Sequence, residues 1–248
     1  MTDGRGIQLE KIFQAHLTIV PAAGKGERLG APLAKAWVEI HGQPLVCTTL
    51  RRLEESGGCP QIVLVADPPK MEWRDPSIYR RFGCHSVAKV VPGGETRHES
   101  VRRGLTSFPV DPDAIILIHD AARPLVSAAD IQNVLRAAFE NGAAVGGWPI
   151  SDTMKKIDEK MKVVGSVDRE GLLAVATPQA FRFEVLENAI RKAGRAAREA
   201  TDEASLVEAA GFPVTAVPVS RFNFKVTYPQ DLEDVERFVA LEMATSHP

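Results

Sequence analysis

Short apolar runs that alternate with helical stretches constrain this chain more than any other feature. Residues 61–66, Gln-Ile-Val-Leu-Val-Ala, are continuously apolar after Gln61, the mark of a strand covered on both faces. Residues 114–118 read the same way, and 16–22, 86–91 and 143–150 are β-like runs of similar length. Between them, 44–57 reads as a helix with Pro44 in its first turn and Gly57-Gly58 as its stop. Residues 68–81 read as helical after their prolines, Thr96 caps a helix reaching about Phe108, and 128–140 is a helix closed by Asn141-Gly142. This alternation predicts an α/β fold of three layers, a mainly parallel Rossmann-like sheet with helices on both faces. Ligands of such sheets sit off the carboxyl ends of the strands.

The rhythm breaks at 151–167, which reads as an extended β-arm with a polar turn near Asp158-Glu159. It is either a local surface hairpin or an edge covered by a second subunit, since a long bare edge invites unwanted pairing. Residues 172–176 then lead to Thr177-Pro178-Gln179, and 181–198 is strongly helical, with Arg191, Lys192, Arg195 and Arg198 on a solvated face. Thr201-Asp202-Glu203 starts another helix that Gly211 ends; 214–219 and 222–226 are β-like, and 228–243 is a closing amphipathic helix. The reading is a lead-in over 1–14 and a single domain over 15–248, with its arm at about 149–171.

The first β run breaks into Pro21-Ala22-Ala23-Gly24-Lys25-Gly26-Glu27-Arg28-Leu29-Gly30, with Lys35 just beyond. Small residues after a strand bring bare backbone amides and two cations towards a phosphate-rich ligand. Gly24, Gly26 and Gly30 permit backbone approaches that a Cβ would block. Leu29 stands where the dinucleotide fingerprint needs its third glycine, and it also breaks the Walker A spacing. A dinucleotide-dependent dehydrogenase is therefore disfavoured. The alternative to a phosphate loop is a surface turn with ordinary charges.

Net charge of −2 argues against a general nucleic-acid surface, so local cations act in a pocket. No run approaches the roughly 20 apolar residues of a membrane span. The first residues, MTDGRGIQLEK, lack the apolar core of a secretory leader. Cys47, Cys59 and Cys84 are odd in number and show no Cys-x-x-Cys spacing. They argue against disulfides or a zinc site and fit a reducing, cytoplasmic setting.

Further polar clusters follow predicted strand ends. Gly93-Gly94-Glu95-Thr96-Arg97-His98-Glu99-Ser100 joins a backbone-exposing turn to a hydroxyl suited either to a base edge or to helix capping. Asp120, in His119-Asp120-Ala121-Ala122-Arg123-Pro124, lies where a carboxylate approaches Mg²⁺ or a ribose hydroxyl. His119, directly after an apolar strand, reads as structural rather than as a proton carrier, and Arg123 as a partner of Asp120. Asp152-Thr153, Asp168-Arg169 and Thr201-Asp202 are polar points of the second half. In Asn223-Phe224-Lys225-Val226-Thr227, alternation turns Phe224 and Val226 inward and Lys225 to the other side.

Together these blocks resemble the 2-C-methyl-D-erythritol 4-phosphate cytidylyltransferases. The resemblance is carried by Pro21-Ala-Ala-Gly-x-Gly-x-Arg28, Lys35, Gly93-Gly94…Arg97…Ser100, His119-Asp-Ala-Ala-Arg-Pro124 and Asp152-Thr-Met-Lys155. It continues through Val167-Asp-Arg-x-Gly-Leu172, Thr177-Pro-Gln-x-Phe181, Thr201-Asp-Glu-Ala-Ser205 and Asn223-x-Lys-Val-Thr227, in the family's order. Ribitol-5-phosphate cytidylyltransferase looks similar in the first half; Ala121-Ala122 and Asp152-Thr-Met-Lys155 favour the methylerythritol family. A nucleotide-binding regulatory module would be expected to lose Arg28, Lys35, Asp120 or Lys225, and all four are present.

The resemblance implies a nucleotidyltransferase of glycosyltransferase-A-like fold that joins CTP to methylerythritol phosphate with Mg²⁺ or another divalent cation, releasing pyrophosphate. It implies catalytic roles for Arg28, Lys35, Arg169 and Lys225. It places Ala22, Ala23, Gly24, Gly94, Glu95, Ser100, Asp120, Ala121, Arg123, Thr153, Thr177 and Thr201 around the substrates. The metal would touch Asp120 or be held by the CTP phosphates. It further implies a homodimer with exchanged arms, in which Thr153 and Arg169 serve the neighbour's site. This chain departs from the family's usual Pro-Lys-Gln at Ala34-Lys35-Ala36, and Trp148 is bulky at the base of the arm.

Overall fold

A computed structural model describes residues 13–24, 26–29 and 34–245. Lys25, Gly30 and the lead-in before Phe13 lie outside the described residues, as do the side chains of Arg195 and Arg198. The first strands are β1 (Leu17–Pro21), the two-residue β2 (Glu39–Ile40) and β3 (Gln43–Pro44), β4 (Ile62–Val65), β5 (Val87–Val91) and β6 (Ile115–Ile118). Then come β7 (Ala143–Pro149), β8 (Met154–Ile157), β9 (Val163–Val167), β10 (Leu173–Arg182) and β11 (Thr215–Pro218). Seven of them form the central sheet, in the order β11-β7-β10-β6-β1-β4-β5. β1 pairs in parallel with β4 and β6, β4 with β5, and β7 with β11, while β10 runs antiparallel between β6 and β7. The expected mainly parallel α/β sheet is thus present.

Period-two alternation sorts the sheet's side chains onto two apolar layers. Ile62, Leu64 and Leu117 face one layer with helices α1 (Leu45–Glu55) and α3 (Ala128–Asn141). Val63, Val65 and Ile118 face the other with α2 (Arg97–Leu105), α4 (Phe183–Ala193) and α5 (Glu203–Ala209). Local signals set the helix ends. Thr96 Oγ1 accepts from Glu99 N at 3.1 Å, Ser127 and Asp130 form a capping box, and Gly142 at φ 90° closes α3. A third cluster joins Leu29, Ile40, Leu45 and Leu125 to Val226 and to Val235 and Val239 of α6 (Pro229–Thr245). Leu29, where a dinucleotide fold has glycine, is therefore an apolar anchor of the first loop.

Four expectations need correction. Residues 68–81 form no α-helix but two short 3-10 segments, Met71–Arg74 and Pro76–Phe82. Pro76 lacks an N–H and disfavours helical geometry at Asp75, whose carboxylate instead caps Ser77 N at 2.9 Å. The helix expected from 181 starts at Phe183, because Gln179 to Arg182 pair with Ile118 to Ile115 in β10. It stops at Ala193, where Gly194 takes φ 51° and a 3-10 turn follows. The segment 222–226 is not a strand, although Val226 is buried and Phe224 packs beside it as alternation predicts.

The arm is a hairpin of β8 and β9, whose β8 side chains are all exposed. Trp148 is half-buried at the end of β7 and packs against the first apolar layer.

Candidate active site

Off the ends of β1, β5 and β6 lies a cavity of about 1000 Å³. It is lined by Pro21, Ala22, Ala23, Gly24, Gly26, Arg28, Lys35, Gly94, Glu95, Ser100, Asp120, Ala121 and Lys225, among others. Both glycine loops and the turn after β6 meet there because parallel strands deliver their following loops to one edge.

Close packing explains the small residues. A Cβ on Gly94 would stand 2.4 Å from Glu99 Cβ, and one on Gly93 would stand 2.1 Å from Ala23 Cβ. Gly26 takes φ +68° and faces Lys35 Cβ, which a Cβ would approach to 2.6 Å. Gly24 has open space beyond it, so its backbone is bare at the cavity. Ser100 Oγ accepts from Gly94 N at 3.0 Å and donates to Thr96 O at 3.1 Å. Its hydroxyl braces the Gly93-Gly94 turn, while Thr96 is the cap.

Asp120 is the electrostatic centre. Lys225 Nζ donates to Oδ2 at 2.7 Å, Arg97 Nε to Oδ1 at 3.3 Å, and Arg123 Nε lies 3.9 Å from Oδ2. Burial alone would raise the Asp120 pKa; the charges of Arg97, Lys225 and Arg123 outweigh it and hold the carboxyl well below the usual range. The backbone is fixed as well: Asp120 N donates to Thr177 Oγ1 at 2.9 Å, and Arg123 Nη1 to Asn223 O at 2.8 Å. Asn223 Nδ2 donates to Thr177 O at 2.8 Å. Thr177 and Pro178 are the residues of a bulge between Ala176 and Gln179 of β10, which brings that hydroxyl under the turn.

Lys35 sits in the 3-10 turn Lys35–Trp37 and donates from Nζ to Val226 O at 2.6 Å. Burial, then the neighbouring Lys225 charge, push its pKa down to about 8, against the pull of Asp120. Ala36 and Trp37 are buried, and Trp37 meets Trp73 edge to face at 5.5 Å. The altered residues around Lys35 thus still root the turn in the core. Arg28 is exposed at the cavity, its guanidinium 6.0 Å from the Tyr228 ring centre.

His119 is fully buried and its pKa falls to about 4, chiefly through burial. Nε2 lies 3.1 Å from the Arg123 carbonyl, which can only accept, so the neutral ring donates there. It is a structural histidine. Cys47, Cys59 and Cys84 are buried free thiols whose pKa values burial raises, with Cys59 pushed to about 11.

Some candidates stand apart in the single chain. Arg169 and Thr153 are exposed on the arm; Arg169 Nη1 donates to Ser151 O and lines a separate cleft of about 720 Å³ with Pro149 and Leu172. Thr201 is exposed beside the N-cap Asp202, and Thr177 is buried with its hydroxyl on Asp120. Sequence reasoning missed Arg97, Thr96 and Asp67 as cavity residues. Arg97 carried a signal: it opens α2, where the helix dipole disfavours a cation, so it needs anionic partners.

Among the described residues, no group of three or more His, Cys, Asp or Glu could hold a metal ion. At the cavity wall Asp120 is an ionised oxygen donor whose oxygens face Lys225 and Arg97, and magnesium is usually held by only one or two carboxylates plus substrate phosphates. No helix of the described residues is long and apolar enough to cross a membrane.

Comparison with known proteins agrees with this geometry. The family described as 2-C-methyl-D-erythritol 4-phosphate cytidylyltransferase matches residues 16–240. A relative of that name from Pelotomaculum thermopropionicum is 39% identical over 221 residues, covering 89% of this chain and 92% of its own. One from Geobacillus kaustophilus is 39% identical over 226 residues, covering 91% and 97%. The crystal structure of the Thermus thermophilus protein of that name superposes with a TM-score of 0.73 at 33% identity, over 91% of this chain and 98% of that one. The chain belongs to the 2-C-methyl-D-erythritol 4-phosphate cytidylyltransferase family.

Proposed function

We infer that this nucleotidyltransferase moves CMP from CTP to 2-C-methyl-D-erythritol 4-phosphate, a step in making isoprenoid precursors. The observation that carries the reading is the cation cluster Lys35, Lys225, Arg97 and Arg28 lining a strand-end cavity. Such chemistry needs no base, because the attacking phosphate is already an anion. An acceptor phosphate oxygen bonds the α-phosphorus in line, the bond to the bridging oxygen breaks, and pyrophosphate leaves with the electron pair. The barrier lies in bringing two polyanions together, so fixed positive charge and positioning supply the catalysis.

In this reading Arg28 and Lys35 meet the triphosphate, and Ala22, Ala23, Gly24, Gly94, Glu95 and Ser100 surround the base, mostly through backbone. Asp120 and Ala121 adjoin the ribose and phosphates, and Lys225 and Arg123 face the acceptor with Thr177 and Thr201. A bound magnesium ion would neutralise phosphate charge and polarise the leaving group, with Asp120 as its protein contact. Residues 15–248 act as one domain in the cytoplasm, and the arm exchanges across a homodimer so that Thr153 and Arg169 reach the neighbour's acceptor.

Pyrophosphate release from CTP, Mg²⁺ and methylerythritol phosphate tests the reading; release only with ribitol 5-phosphate, or none, overturns it. Arg169→Ala is expected to raise the apparent KM for methylerythritol phosphate about tenfold or more, with little change for CTP. Equal effects on both, or a monomer in sedimentation at micromolar concentration, would remove the arm's role. Because free Lys35 loses its proton near pH 8, kcat/KM for CTP should fall above that pH with a single ionisation. Under saturating CTP the phosphates hold the proton on, so kcat should stay level to higher pH; matching profiles would contradict the assignment.

A further inference from the structure

We propose that Glu203 is a positioning residue for the transfer, holding Arg97 so that Asp120 remains shared between Arg97 and Lys225. Glu203 opens α5 yet is only 1% exposed, and it does not line the cavity. Capping does not account for it, since Asp202 already accepts from Ser205 N at 2.9 Å. A carboxylate removed from water is costly unless paired. Its partner is Arg97, whose Nη1 donates to Glu203 Oε2 while Nε faces Asp120 Oδ1 at 3.3 Å. The other oxygen, Oε1, faces His98 Nδ1 across 3.8 Å, and neither atom has a hydrogen bond among the described residues.

One planar guanidinium therefore bridges two acids that come from different parts of the fold, and only one of them reaches the cavity. Two anions on different edges fix the direction of the fork. With the Glu203 charge gone, Asp120 is the stronger remaining attractor. Arg97 can then close on both carboxylate oxygens, a bidentate geometry that competes with the 2.7 Å Lys225 contact. Lys225 loses its fixed place at the wall, and the cost falls on the acceptor phosphate more than on CTP. This consequence rests on the cytidylyltransferase reading.

Glu203→Gln keeps the shape and an acceptor oxygen while removing the charge. The expected result is a rise of about 10- to 100-fold in the apparent KM for methylerythritol phosphate, the size of one charge-assisted hydrogen bond. The KM for CTP should stay within about twofold. Placed on an Arg97→Ala background, Glu203→Gln should add no further change, because its effect passes through Arg97. Unchanged constants, an equal rise for both substrates, or additive losses in the double variant would overturn the proposal. Arg97→Lys is the second variant and applies even where Glu203→Gln does not fold. A lysine keeps the charge but not the two-sided fork, so it should reproduce the acceptor-side rise; wild-type constants would overturn the inference. Wild-type protein that releases no pyrophosphate removes the underlying reading, whereas active wild type with normal variants removes only the role of Glu203.

Discussion

Lys35→Ala is expected to lower kcat by roughly 10²–10³-fold, the usual consequence of deleting one preorganised charge aimed at the transition state. In the proposed mechanism the lysine is already held in place. Its ammonium is anchored on Val226 O at 2.6 Å, its backbone lies in a 3-10 turn, and the next two residues are buried. The Trp37–Trp73 contact, and the stack of Trp73 on Phe82 at 5.5 Å, fix that turn from beneath. Burial also keeps its charge poorly solvated, which the lowered pKa of about 8 records. A cation stripped of water interacts more strongly with phosphate than a surface lysine does. The measurement is kcat at saturating CTP and methylerythritol phosphate, with circular dichroism to show the fold is intact. Turnover within a few-fold of wild type would remove Lys35 from the catalytic set.

Asp120→Asn is expected to damage both stability and activity. The substitution leaves Arg97 and Arg123, largely buried, without the carboxylate between them, and also releases Lys225. Breaking a buried ion pair from one side costs roughly 3–5 kcal/mol. For a chain of this length that corresponds to a fall in Tm on the order of 10 °C. The backbone should not move much, because Asp120 N still donates to Thr177 Oγ1. Folding lowers the Asp120 pKa, so its stabilisation is complete above the unfolded value of about 3.9 and is lost as pH falls through the folded value. The stability gap between wild type and variant should therefore narrow in strong acid. Turnover should fall at least about 100-fold, since Lys225 and Arg97 are no longer aimed. A variant with unchanged Tm and turnover would show that the cations need no central anion.

Much of this was legible in the chain itself. Continuous apolar runs such as Ile62–Val65 announced buried strands, and Thr96 and Gly142 announced helix ends, because these signals act within a few residues. The cavity's glycines, Arg28, Lys35, Asp120 and Lys225 were also named from local pattern and resemblance, and the fold brings them to one wall. The partner of Arg97 was not legible: Glu203 is 106 residues away along the chain, and no periodicity links α2 to α5. Nor was the continuation of β10 to Arg182, since only its pairing with β6 extends a strand into a segment with helical preference.

The sequence by itself determined the class of fold, most of its elements, the glycine-rich loop after the first strand and the family to which the chain is similar. These follow from apolar periodicity, capping chemistry and backbone space, all short-range. Only the tertiary structure decided which charges share Asp120, that His119 is buried and neutral, and that Leu29 anchors the first loop beneath α6. Those outcomes depend on distance and burial, and folding sets both, joining even Asp120 and Lys225, 105 positions apart.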